Sequence, residues 1–151
     1  MTHHADELLA KLSEGLGLAL RFDSKRVCRL VFDDVHEVDL EQPEGLPMLF
    51  VHAVIARLPA GGREEIYRRC LMGNFFGSGT GDAMLCLDAN RDEILLFRRL
   101  PLPGTGLAEL EAALLDFVGR MQPLKDVLAA APAGPVDAPM RGDDLLGFAL
   151  V

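Results

Sequence analysis

The sequence has few residues that could form disulfides, bind a metal or cross a membrane. Its three cysteines, Cys28, Cys70 and Cys86, are odd in number and lack C-x-x-C spacing, so neither a disulfide framework nor a zinc site is indicated. Apolar runs are far shorter than the roughly 20 residues that span a bilayer. The N-terminus MTHHADELLAK lacks a basic region followed by an apolar one. We therefore expect a cytoplasmic protein with buried, reduced thiols.

Positive charge is also scarce. The formal net charge is −8, and the arginines are scattered along the chain and form no basic stripe. Such a chain repels phosphate backbones and anionic lipid, so neither nucleic acid nor a membrane is an expected partner. Tryptophan is absent, but half of the residues are apolar and a quarter are charged, as in an ordinary folded domain. The length suits a single domain with a substantial core.

Apolar periodicity predicts three amphipathic helices. The first runs from about Ala5 to Leu16, and the second covers REEIYRRCLMGNFF and ends near Gly73. The third begins after Thr105, the expected N-cap, and Pro123 is expected to kink or end it.

The intervening segments predict short strands joined by turns. They are LALRFD, VCRLVF, HEVDLE, the central run LPMLFVHAVIARL, AMLCLD and EILLFRRL. The central run is apolar on both faces, which favours a strand covered on both sides or by a partner subunit. We expect an α+β fold in which an antiparallel sheet of about five strands carries three helices. The expected domain covers residues 1–130, followed by a flexible tail, rich in Pro, Ala and Gly, over residues 131–151.

The glycine-rich stretch GNFFGSGTGD, residues 73–82, raises the question of a phosphate-binding loop. Such a loop follows a strand and opens a helix, whereas this one is predicted to follow a helix and precede a strand, and no Lys-Ser/Thr pair comes after it. We interpret the glycines as turn residues and Phe75 and Phe76 as side chains that pack under the end of the second helix. A small-molecule or nucleotide-binding α+β domain that uses the Gly77–Gly81 loop remains the alternative.

No other pattern points to chemistry. The histidines lack ligand spacing, and His52 within an apolar strand is interpreted as a hydrogen-bonded core or interface residue. The serines lack the context of a nucleophile elbow, and the acidic pairs fall where solvated carboxylates are common. We expect no catalytic, cofactor or metal site. Several strands that are apolar on both faces would leave exposed apolar surface, which marks partner sites, unless the helices cover it.

The ordered set of segments resembles the Tir chaperone (CesT-like) family, the class I chaperones of bacterial type III secretion. The resemblance covers about residues 5–129. It is carried by LLAKLSEGLGLAL, VCRLVFDD with VHEVDLE, LFVHAVIARLPAG, IYRRCLMGNFF, AMLCLDANRDEILLFRRLPL and LAELEAALLDFVGRM. The long tail and Pro123 depart from the family pattern.

The resemblance implies an acidic homodimer in the bacterial cytoplasm that has a twisted antiparallel sheet and no enzymatic activity. It would bind the N-terminal region of a secreted effector in a non-globular form, without ATP, and keep it ready for export. The secretion ATPase would be a further partner. A structural or regulatory adaptor of the secretion apparatus is a third hypothesis for the function of the chain.

By the same resemblance, the second helix and adjoining strand would form the dimer interface, with Ile66, Cys70, Leu71 and Met84. The first helix and early strands would offer grooves to the cargo, with the contacts Leu8, Leu12, Leu18, Leu20, Phe22, Leu30, Phe32, Val38 and Leu40. The terminal LLGFALV is predicted to dock over an apolar groove when cargo is absent.

Overall fold

The structure, a computed structural model, describes residues 2–131. The tail predicted from residue 131, including the docking of its LLGFALV end, lies outside the described residues except for residue 131. The boundary between the domain and this tail stays a prediction. The elements in chain order are α1 Thr2–Leu16, β1 Val27–Phe32, β2 His36–Glu41, β3 Met48–Arg57, α2 Arg63–Asn74, β4 Met84–Asp88, β5 Glu93–Pro101 and α3 Leu107–Ala129.

The five strands of the described chain form one sheet in the order β1-β2-β3-β5-β4. The hairpin pairs β1–β2 and β4–β5 and the pair β2–β3 are antiparallel. The expected α+β class, with an antiparallel sheet of five strands and three helices, is confirmed. The contacts divide the described chain into two compact units, residues 2–53 with 98–118, and residues 54–97 with 119–131.

The first unit is built around α1 and the β1–β2 hairpin. Alternate residues of the two strands face the core, where Leu30 lies opposite Val38 and all but a few per cent of each is covered. The hairpin turns at Asp33 and Asp34, which both take positive φ values of 53° and 57°. Aspartate tolerates this left-handed region, which a tight hairpin turn requires.

The segment LALRFD, predicted as a strand, is irregular. The Ser13 hydroxyl, near the end of α1, donates to the carbonyl of Leu18 and accepts from the N–H of Leu20 at 3.0 Å. The N–H of Leu18 donates to the carbonyl of Ser13 at 3.1 Å. Because the end of α1 satisfies these backbone groups, the segment does not need hydrogen bonds to a neighbouring strand.

The second unit contains α2, the β4–β5 hairpin and the end of α3. Arg69 of α2 pairs with Glu65 one turn earlier at 2.9 Å, and its other nitrogen donates to the carbonyl of Val127 in α3 at 3.0 Å. At the start of α2, Arg63 forms a two-pronged ion pair with Asp92 in the hairpin turn, at 3.0 and 3.1 Å. These contacts fix α2 against both the hairpin and α3.

The expectation that Pro123 kinks or ends α3 is wrong as to the end, since the helix continues to Ala129. Leu124 and Leu128, beyond the proline, are buried, and their burial offsets the hydrogen bond that proline cannot donate.

The N-cap of α3 lies one residue later than predicted, at Gly106 in place of Thr105. Thr105 donates its hydroxyl to the carbonyl of Pro101, and the Glu109 carboxylate reaches back to the N–H of Gly106 at 3.0 Å, as in half of a capping box.

Strand β3 lies at the centre of the sheet, as predicted from its apolar sequence. One of its faces is fully buried and carries Leu49, Val51 and Ala53, whereas the other is half-covered. On that second face His52 bonds Glu41 of β2 through Nε2 and Oε2 at 3.1 Å. His52 is therefore a hydrogen-bonded histidine of the sheet, as expected.

Candidate functional site

The glycine-rich loop follows α2 and precedes β4, as the sequence predicts. Three of its backbone donors are already used by carbonyls of the loop and of the end of α2. The N–H groups of Ser78, Gly79 and Gly81 donate to the carbonyls of Phe75, Gly73 and Gly77 at 2.8–3.1 Å. A phosphate-binding loop must aim such N–H groups at its anion. The loop geometry therefore gives no support to the nucleotide-binding alternative.

Arg120 of α3 holds this loop from the side. Its Nη1 donates to the carbonyl of Gly79 at 3.4 Å, and a Cβ placed on Gly81 would lie 2.6 Å from the guanidinium group. Gly81 also has a φ of +60°, a conformation that favours glycine. Gly81 therefore allows both the backbone turn and the close approach of the Arg120 side chain.

The outer face of α2 and the turn after it form an apolar groove of about 710 Å³. Tyr67, Leu71, Met72, Phe75 and Phe76 line most of it. Leu71 is 71% exposed, Phe75 68% and Phe76 94%. The interpretation of Phe75 and Phe76 as packed side chains is therefore wrong, because both rings lie outside the core. Exposed aromatic rings grouped in this way mark a binding surface.

Phe76 also carries backbone strain. Its φ is +52° and its ψ is 22°, which places a large side chain in the left-handed region. Residues other than glycine, asparagine and aspartate seldom adopt this conformation, which costs about 1–2 kcal/mol. The conformation holds the Phe76 ring 4.5 Å from the Phe75 ring, centroid to centroid, outside the helix.

The residues predicted for the dimer interface fall on two sides of the second unit. Ile66 and Cys70 point inward and are buried, whereas Leu71 and Met84 are exposed. Burial raises the pKa of the Cys70 thiol to about 11, so this thiol stays protonated at neutral pH. The structure thus brings Leu71 together with the two phenylalanines, which the sequence interpretation had left out of the interface. The signal for them is the adjacent aromatic pair immediately before Gly77.

The residues predicted for cargo contact also divide by accessibility. Leu18 is exposed, and Leu20, Phe22 and Phe32 are half-buried. The remaining five are buried in the described chain, namely Leu8, Leu12, Leu30, Val38 and Leu40. The irregular segment after α1 therefore holds three of the four accessible residues. Phe22 within it is fixed by the guanidinium of Arg26, which lies 4.4 Å from the ring centroid.

Strand β1, next to that segment, is an edge of the sheet. The N–H and carbonyl of Val27 are both bonded to Asp23, at 2.9 Å each. Backbone groups on the same side of an antiparallel strand recur every second residue, so those of Arg29 and Val31 are the next that point outward. Val31 also exposes about half of its side chain. An extended polypeptide has backbone groups and apolar surface to pair with here.

Within residues 2–131, no three His, Cys, Asp or Glu side chains come together as metal ligands. Among the same residues, no helix has the length and apolar character needed to cross a bilayer.

The family model for the Tir chaperone protein (CesT) family matches residues 7–125. The Tir chaperone of Escherichia coli O157:H7 is 25% identical over 129 residues, which cover 85% of this chain and 81% of that protein.

Solved structures share the fold. A chain of the ExsC–ExsE complex superposes with a TM-score of 0.69 at 20% identity, covering 89% of this chain and 98% of that one. A chain of the HopA1–SchA chaperone–effector complex gives 0.67 at 14% identity, covering 82% and 94%. Because the family model spans most of the sequence, this chain belongs to the Tir chaperone (CesT) family.

Proposed function

We propose that the protein is a type III secretion chaperone that acts as a homodimer in the bacterial cytoplasm. It binds the N-terminal segment of a secreted effector in a non-globular form and keeps it soluble and competent for export. The observation that carries the proposal is the exposed aromatic groove on α2 in a chain of the Tir chaperone family. Neither ATP nor a chemical step of its own enters this activity.

The groove on α2 suits a second copy of the chain. Leu71, Phe75 and Phe76 form an exposed cluster whose apolar area is costly in water. A two-fold dimer would cover that cluster on both copies with one symmetric contact. Arg68 and Glu64, which line the same groove, supply opposite charges that a two-fold axis can pair across the interface.

The segment after α1 and the edge of β1 suit the cargo. Leu18, Leu20 and Phe22 present apolar side chains along an irregular stretch, and β1 offers backbone groups for an added strand. An unfolded segment loses conformational entropy on binding, so it needs a large buried area, on the order of 1,000–3,000 Å². The dimer provides two such surfaces. The five buried residues of the predicted cargo set would support this surface from within.

Co-purification tests the proposal directly. A tagged chain would be isolated from a bacterium that carries the secretion system, and its bound polypeptides identified by mass spectrometry. We expect a secreted effector, and we expect binding to disappear when the N-terminal segment of that effector is deleted. Capture of apparatus proteins without an effector would favour an adaptor, and capture of the secretion ATPase together with the effector would add the expected further partner.

Matched surface variants locate the cargo site. Leu18→Ser should weaken effector binding, whereas Leu115→Ser, which changes an equally apolar and 72% exposed residue of α3, should leave it unchanged. Equal effects of both variants would contradict the assignment of the segment after α1. A shift in melting temperature with ATP that is lost in Gly77→Ala and Gly79→Ala would instead revive the nucleotide-binding alternative.

A further inference from the structure

Strand β4 is the second edge of the sheet, and it lies beside the end of α2. An edge strand normally presents a row of unpaired N–H and carbonyl groups that can pair with a strand of another chain. On β4, the middle of this row is occupied by a side chain of the same chain.

Asn74, the last residue of α2, occupies the middle of the row. Its Oδ1 accepts from the N–H of Leu85 at 2.7 Å, and its Nδ2 donates to the carbonyl of Leu85 at 3.1 Å. One side-chain amide thus makes the two hydrogen bonds that a residue of an antiparallel partner strand would make.

The strand register shows which other groups share this side. Leu85 lies opposite Leu96 of β5, and both of its backbone groups point to Asn74 and therefore away from β5. Period-two alternation places the groups of Ala83 and Leu87 on the same outer side. The N–H of Ala83 donates to the carbonyl of Thr80 at 3.1 Å. On this side, the carbonyl of Ala83 and the outward groups of Leu87 are left for an incoming strand.

We propose that Asn74 closes the β4 edge to strand addition. A strand that approaches β4 would have to break both hydrogen bonds between Asn74 and Leu85 before it could pair with more than one residue of β4. Contacts of another chain along this edge are therefore made mainly through side chains, such as the exposed Leu87. The proposal concerns this edge alone and does not depend on an effector, so its test is independent of the proposed function.

Amide hydrogen exchange followed by NMR tests the closure. Asn74→Ala should accelerate exchange at the Leu85 N–H roughly tenfold, the effect of losing one hydrogen bond. Exchange at Cys86, whose backbone faces β5, should stay slow. Asn90→Ala, an exposed asparagine in the turn of the same hairpin, is the matched control and should change neither rate. Unchanged exchange at Leu85, or equal loss of protection at Leu85 and Cys86, would overturn the proposal.

A synthetic peptide with the sequence of residues 93–100 provides a second readout, because this sequence already pairs with β4 on its other side. We expect it to bind Asn74→Ala, with chemical-shift changes at Leu85 and Leu87, and to leave the native chain unaffected. If Asn74→Ala does not fold, Asn74→Ser, whose side chain is too short to reach both groups of Leu85, takes its place. Equal binding to native and variant chains, or binding to neither, would contradict closure by Asn74.

Discussion

Substitution of Phe76 separates its contribution to self-association from its effect on the stability of the chain. The ring is 94% exposed in the single chain, so its removal costs almost no packing within the chain. In a two-fold dimer it would be buried twice. Burial of one phenylalanine side chain contributes about 1.5–3 kcal/mol, so two rings contribute about 4 kcal/mol. This corresponds to a dimer that dissociates about a thousandfold more readily.

Two variants at the same position give the matched comparison. Phe76→Ala and Phe76→Gly both lack the ring, and both should be largely monomeric at micromolar concentrations in sedimentation equilibrium. They differ in the backbone, because the φ of +52° strains alanine and suits glycine. The glycine variant should therefore unfold with a free energy about 1 kcal/mol higher than that of the alanine variant in urea titrations.

The result that would refute this reasoning is equally specific. If both variants associate as strongly as the native chain, the aromatic groove is not the dimer interface. If they differ in association from one another by as much as from the native chain, the backbone conformation rather than the ring would be responsible. Leu115→Ser, which alters an exposed leucine of α3, controls for general effects of removing surface apolar area.

Three further predictions concern the glycine loop, a buried thiol and the tail. Gly81→Ala should lower the free energy of unfolding by about 1–2 kcal/mol in urea, because of its φ of +60°, whereas Gly61→Ala, which meets open space, should not. Burial raises the pKa of Cys70 from 9.0 to about 11. The native state therefore holds this proton more tightly, and the resulting stability is present below pH 9 and declines towards pH 11. At pH 10 the loss should be about 1 kcal/mol relative to pH 8, and absent from Cys70→Ala. Deletion of residues 132–151 should raise the affinity for the effector if the apolar end LLGFALV competes with cargo, and an unchanged affinity would contradict that competition.

The sequence predicted the helices and most strands because their apolar periodicity is strong. It failed where a single side chain decides the local structure. The Ser13 hydroxyl holds Leu18 and Leu20 at the end of α1, and this keeps LALRFD out of the sheet. Helix α3 continues past Pro123 because the buried Leu124 and Leu128 that follow it stabilise the helix. The spacing of Leu124 and Leu128 continues the apolar stripe past Pro123, but only the folded chain shows that both are buried, as only it shows the bonds of Ser13.

The candidate surfaces were predictable only in part. An apolar residue on a strand or helix can face the core or a partner, and its spacing is the same in both cases. Leu30 and Val38 were therefore expected at a cargo groove and lie in the core, while Phe75 and Phe76 were expected inside and lie outside. The proposed closure of the β4 edge by Asn74 could not be predicted from the sequence either. It depends on where α2 ends relative to Leu85, which is a property of the folded chain.

Under the proposed function, the two edges of the sheet would serve different polypeptide contacts. At β1, Asp23 covers the backbone groups of Val27 and leaves those of Arg29 and Val31 for an added strand. At β4, Asn74 covers the backbone groups of Leu85 and the turn before the strand covers the N–H of Ala83, while exposed side chains nearby stay available. Backbone pairing tolerates many sequences, whereas a cluster of aromatic side chains selects for shape. Under the proposed function the chain would need one surface of each kind, because it would accept both an unfolded client and a second copy of itself.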